Sequence, residues 1–80
     1  MPFSVGGAMI ISAQCRAARA WLQWTQAELA ERADVGLSAV KNFENGSVRT
    51  LPAIRNEIER AFNAAGIEFP SEDSMFVRPD

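Results

Sequence analysis

Apolar residues recur at helical spacing in four separate blocks of this 80-residue chain. The first runs from about Ser12 to Leu22. There Cys15, Ala18 and Leu22 fall at i, i+3 and i+7 and predict one buried stripe, with Arg16 and Gln23 facing out. Ser12 is the expected N-cap, with Ile11 before it able to staple onto the first turn. The second block follows the capping residue Thr25 and reads Gln26, Ala27, Glu28, Leu29, Ala30 to Ala33. A three-residue break, Asp34-Val35-Gly36, separates it from a third short helix, Leu37 to Glu44, which stops at Asn45-Gly46. The fourth block is longer. Thr50 can cap a helix over Leu51 to Ala65, with Pro52 in its first turn, where a missing N–H is tolerated. Along it Leu51, Ile54, Ile58, Ala61, Phe62 and Ala65 repeat at three- and four-residue steps, and Gly66 closes it.

Beyond Gly66 the period changes. Ile67-Glu68-Phe69 alternates apolar and polar, Pro70 to Ser74 is turn-like, and Met75-Phe76-Val77 is apolar again, which predicts two short strands. A lone hairpin is marginal in water, so it needs the helices or a second subunit to pack on. Trp24, next to the Thr25 cap, is expected to plug the core between the first two helices. Trp21 lies on another side, facing the last helix or the tail. Residues 1–11 are read as a loose arm; Met1 to Ala8 has a Gly pair, no periodicity and no Arg or Lys, and Met9 is read as the natural start. The expected organisation is therefore an arm over 1–11, a helical domain over 12–66, and an extension over 67–80 that forms a β-hairpin or a dimer contact.

The centre of this plan is Gln26 to Gly46. Two short helices joined by three residues, locked by Leu29, Ala33, Val35, Val40 and Phe43, read as a helix-turn-helix. In such a unit the second helix can lie in a DNA major groove.

Composition limits the alternatives. Eighty residues make one small domain whose core is marginal without tight packing or a partner. No apolar run approaches the ~20 residues of a membrane span, and no basic-then-apolar leader opens the chain. The single Cys15 cannot form an internal disulfide, which fits a cytoplasmic protein, and is read as a small core residue. There is no histidine, so histidine-based acid–base chemistry is excluded. No nucleophile–base pair, metal-ligand cluster or phosphate-cradling glycine loop is present; neither an enzyme nor a cofactor is expected. The net charge of −2 is unevenly spread. Residues 1–66 carry seven bases against six acids, and 67–80 one base against four acids, so the acidity sits in the tail. A weakly positive body permits nucleic-acid binding without arguing for it.

Gln26, Glu28-Leu29-Ala30, Val35, Val40, Glu44 and Gly46 follow the pattern Q-x-E-L-A…V…V/I…E-x-G, and the chain over about Ser12 to Gly66 resembles the lambda-repressor-like family, the phage repressor/Cro or XRE type. The resemblance implies an all-α fold of four to five helices with a possible short C-terminal β-hairpin. It also implies a homodimer on two-fold symmetric double-stranded DNA, and transcriptional control. Carried over residue by residue, Gln26 would meet the DNA backbone, and Leu37, Ser38, Lys41 and Asn42 would share the base-reading face. Asn42 can bond adenine's paired donor and acceptor, and Lys41 can reach guanine O6/N7 or a phosphate. Leu37 and Ala39 can touch only a thymine methyl. Asn45, Ser47 and Arg49 could bind phosphates, which positions a protein without reading sequence. Arg19 and Glu44 correspond to a pair that the family joins across the core. Two positions depart from the family: Asp34 stands where Gly supplies a positive φ, and Gly36 replaces a Ser/Thr cap. With Leu37 and Ala39 they leave the front of the reading helix poor in hydrogen-bonding groups. A protein-interaction module, such as an antitoxin or partner subunit with weak DNA binding, is the alternative expectation.

Overall fold

The computed structural model describes residues 10–47, 50–71 and 74–79. Among these residues four helices, α1 (Ser12–Leu22), α2 (Gln26–Ala33), α3 (Leu37–Glu44) and α4 (Pro52–Ala64), precede two short strands, β1 (Ile67–Glu68) and β2 (Phe76–Val77). The strands pair antiparallel with Ile67 opposite Val77 and Glu68 opposite Phe76. The expected all-α architecture with a terminal hairpin is therefore the one found. Residues 1–9 of the expected arm lie outside the described residues. Ile10, assigned to that arm, is fully buried and belongs to the core.

Local chemistry sets most of the helix boundaries. Thr25 Oγ1 accepts from the Glu28 N–H at 3.0 Å, and Glu28 Oε1 accepts from the Thr25 N–H at 2.9 Å, so both orphan donors at the start of α2 are satisfied. At its other end Asp34 takes φ 57°, the left-handed conformation that usually calls for glycine. Asp accepts it more readily than most side chains do. The cap of α1 departs from expectation. Ile11, not Ser12, is the N-cap, and the Gln14 side chain reaches back to accept from the Ile11 N–H at 3.0 Å. Likewise Leu51, not Thr50, caps α4, with Pro52 as its first residue. The Thr50 hydroxyl instead donates to the Ser47 carbonyl at 3.3 Å.

The core joins Cys15 and Ala18 of α1, Leu29 and Ala33 of α2, Val40 and Phe43 of α3, and Ile58 and Phe62 of α4 with Ile67 and Phe69 beyond them. Trp24 packs further along the chain than expected. Its ring stacks on Phe62 of α4 at 5.6 Å between centroids, and Phe62 meets Phe69 edge-on at 5.8 Å. Pairs of this kind add about 0.5–1.5 kcal/mol each beyond their burial. The Arg32 guanidinium lies over the Trp24 ring, 4.4 Å from its centroid. Leu51 and Ala65, predicted as ends of the buried stripe of α4, are exposed. Trp21 is exposed too, at 62%, and meets neither the last helix nor the tail as a buried residue.

The hairpin is built into this core. Ile67 is fully buried, and Gln14, itself 6% exposed, donates both amide hydrogens to the Ser71 and Ser74 carbonyls. A buried amide with every group satisfied pins the turn of the hairpin to the start of α1.

Candidate nucleic-acid interface

The outward side of α3 follows from its sequence pattern. Val40 and Phe43 are buried at 0% and 3%, so the intervening Lys41 and Asn42 project to solvent with Leu37 and Ser38. Asn45 is also exposed, and Ser47 is half-buried with its N–H donating to the Asn42 carbonyl at 3.0 Å. Thus Leu37, Ser38, Lys41, Asn42 and Asn45 come together on and just beyond one helix face. Arg49 lies outside the described residues. A groove of about 390 Å³ opens beside Asn42, lined by Ala39, Ser47, Thr50, Leu51 and Ile54.

The angle of α3 is set from behind by Glu44 in its last turn, which is 5% exposed. Arg19 of α1 forks onto it, Nε to Oε2 at 2.6 Å and Nη2 to Oε1 at 2.8 Å. Gln26 of α2 donates Nε2 to Oε1 at 3.0 Å, and the Cys15 thiol donates to Oε2 at 3.0 Å. The remaining arm of Arg19 holds the Trp24 carbonyl at 3.0 Å. The Glu44 carboxylate therefore ties three helices, and Arg19 extends the tie to the α1–α2 connection. Sequence alone indicates Arg19 and Glu44 through the resemblance, but not the other partners. Arg16 faces out as expected, yet its Nη1 reaches the Glu44 carbonyl at 2.6 Å. Two guanidinium groups thus sit at the C-terminal end of α3, where the helix dipole favours cations. Gln26, expected on the DNA backbone, is half-buried and has one amide hydrogen committed to Glu44.

Burial alone would raise the Glu44 carboxyl, but the hydrogen bonds from Arg19, Cys15 and Gln26 outweigh it and hold the group below the usual carboxylate value. The hydrogen bond to Glu44 raises Arg19 in turn. Burial, reinforced by Glu44, pushes the Cys15 thiol well above its ordinary value, so it serves as a neutral donor. A lowered folded-state value contributes stability at pH above the ordinary glutamate value of 4.5, and that contribution is lost as pH falls through the folded value. Thermal denaturation followed by circular dichroism is expected to show a midpoint that drops as the medium is acidified below about pH 4.5. In Glu44→Gln the acid limb should be shallower; an identical limb in both proteins would remove Glu44 as its source.

Two short helices held at a three-residue turn, with the second presenting a polar face from a pinned back, define a helix-turn-helix protein. A family model described as helix-turn-helix matches residues 16–63. The chain belongs to the lambda-repressor/XRE-type helix-turn-helix family, a family of DNA-binding regulators. No curated protein matches the chain. No helix among the described residues is long and apolar enough to cross a membrane.

Proposed function

We propose that the chain is a sequence-specific, non-catalytic regulator of transcription in the cytoplasm, binding double-stranded DNA as a homodimer with α3 in the major groove. The observation that carries this reading is the division of α3: Val40 and Phe43 are locked inward while Lys41 and Asn42 stand exposed side by side. Asn42 reads adenine, Lys41 reads guanine or takes a phosphate, and Leu37 meets a thymine methyl. Ser38 adds a hydroxyl to the same face. Asn45, Ser47 and Arg49 hold the backbone after the helix. Gln26 has two amide hydrogens, one on Glu44 and a second to give to a phosphate. The DNA contact would then be continuous with the pair that orients α3. The dimer contact is assigned to residues 67–78, where Phe76 is 50% exposed on the outer side of β2.

Selection from random duplexes, followed by binding at several salt concentrations, tests this reading. A two-fold symmetric site is expected, with half-sites about one helical turn, ~34 Å, apart. The affinity should fall with salt at a slope of about −0.9 per phosphate contacted. Sedimentation should give a dimer that Phe76→Glu weakens. Absence of any enriched duplex, with no binding even in low salt, would reject the reading.

The exposure of Leu37 and Leu51, at 39% and 64%, favours a second role as a protein-interaction module, such as an antitoxin or partner subunit. Leu51 lines the groove beside Asn42 and Leu37 opens the exposed face of α3, apolar surface that suits a protein better than a phosphate backbone. A stoichiometric partner lost on Leu51→Glu would support that role; purification from the native host without any partner counts against it.

A further inference from the structure

The apolar residues of α3 have three different surroundings. Val40 and Phe43 are buried, and Ala39 is half-buried, lining the groove it shares with Leu51 and Ile54. Leu37, the first residue of the helix, is the one left exposed, at 39%. Gly36 before it supplies no side-chain cap, and a Cβ built on Gly36 would meet no atom within 4 Å, so the space ahead of the helix is open. A single exposed leucine is ordinary on a protein surface. This one shares its face with Ser38, Lys41 and Asn42, and Lys41 sits four residues on, about 6 Å along the axis. On the DNA-binding reading above, on which this inference rests, the start of α3 reaches base edges.

A leucine side chain neither donates nor accepts a hydrogen bond. Laid over the nitrogen and oxygen edges of a base pair, it strips water from them and leaves them unpaired. The apolar group on the major-groove floor is the carbon-5 methyl of thymine. Cytosine methylated at carbon 5 carries the same group in the same place. It differs from thymine at carbon 4, where leucine has nothing with which to tell an oxygen from an amino group. We propose that Leu37 selects a 5-methylpyrimidine, so that 5-methylcytosine gains at that position what thymine gains, and cytosine methylation raises the affinity of the site. Methylation of a duplex would then create binding sites without a change of sequence. Lys41 and Asn42, which act through charge and hydrogen bonds, keep their own bases.

The test uses the full chain and its selected duplex, followed by fluorescence anisotropy at one salt concentration. Each thymine of the half-site is replaced singly by deoxyuridine, which removes the methyl alone, and each T·A pair by cytosine·guanine with and without the 5-methyl group. At one position, deoxyuridine should bind about 3- to 10-fold more weakly than thymine, and methylation should strengthen cytosine by the same ratio. In Leu37→Ala both ratios should fall to about one at that position. Leu37→Gln should shift its preference towards adenine, whose paired donor and acceptor an amide can bond. A half-site without thymine, or no gain from either methyl while Asn42→Ala still weakens binding, would overturn the proposal and leave the DNA reading intact. Methyl ratios that survive in Leu37→Ala would overturn the assignment to Leu37. Failure of wild type to bind any duplex would remove both readings. Should the variants unfold, the base series on wild type decides, since equal binding of each methylated and unmethylated pair rejects the proposal.

Discussion

Arg19→Ala is expected to lower the unfolding free energy by about 3–5 kcal/mol, because it strands a buried carboxylate rather than merely removing a contact. The Glu44 side chain is 3% exposed and Arg19 20%, so water can reach the arginine better than the glutamate it serves. With the fork gone, the Glu44 carboxylate keeps only the neutral donors Gln26 and Cys15 among the described residues. Small domains have total stabilities of about 5–15 kcal/mol, so the variant should be partly unfolded at modest temperature. At roughly 4–8 °C per kcal/mol for this size, the melting midpoint should fall by tens of degrees. Arg19→Lys should recover only part of the loss, since an ammonium cannot bond both carboxylate oxygens in plane. Replacing both partners by apolar residues should be milder than Arg19→Ala alone, because no charge is then left buried. Calorimetry on the set decides; a shift of only a few degrees in Arg19→Ala would show that Glu44 is solvated or protonated in the native protein.

The second large effect is on binding. Lys41→Ala and Asn42→Ala each remove an exposed side chain, so both proteins should melt like wild type. On the selected duplex, Asn42→Ala should cost about 1–3 kcal/mol and relax the preference at one base position. Lys41→Ala should do the same at a guanine, or weaken all sequences alike with a shallower salt slope if its partner is a phosphate. The double variant should approach the affinity of wild type for unrelated DNA. Retained discrimination in the double variant would show that α3 does not read bases.

The two variants separate positions that were legible in the sequence for different reasons. The bounds of α2 and α3 were readable because local chemistry fixes them: Thr25 and Glu28 close one end, and Asp34, Gly36 and Asn45-Gly46 mark the others. The face that carries Lys41 and Asn42 is legible through the family resemblance, which places them among the base-reading positions. The hairpin was visible as a change of period after Gly66. Periodicity failed at the ends of α4, where Leu51 and Ala65 keep the spacing but run past the neighbours that could cover them. Trp21, expected against the last helix or the tail, is exposed instead. The caps at Ile11 and Leu51 are hidden in the sequence because the side chains at Ser12 and Thr50 suit capping, while Gln14 and Pro52 set the actual starts. Polar contacts between distant residues left no local trace. Gln14 with Ser71 and Ser74, and Cys15 with Glu44, emerge only from the folded arrangement.

The tie between Gln14 and the hairpin turn also bears on how the molecule is made. Its bonds to Ser71 and Ser74 span 57 and 60 residues of chain, and Ile67 closes the interior beside Phe62. During synthesis the helices emerge first, yet their shared interior lacks Ile67 and Phe69 until the hairpin has left the ribosome. Half-made copies should therefore be good clients for chaperones that bind greasy segments, and stalling late in translation should be far more damaging than the length of the missing piece suggests.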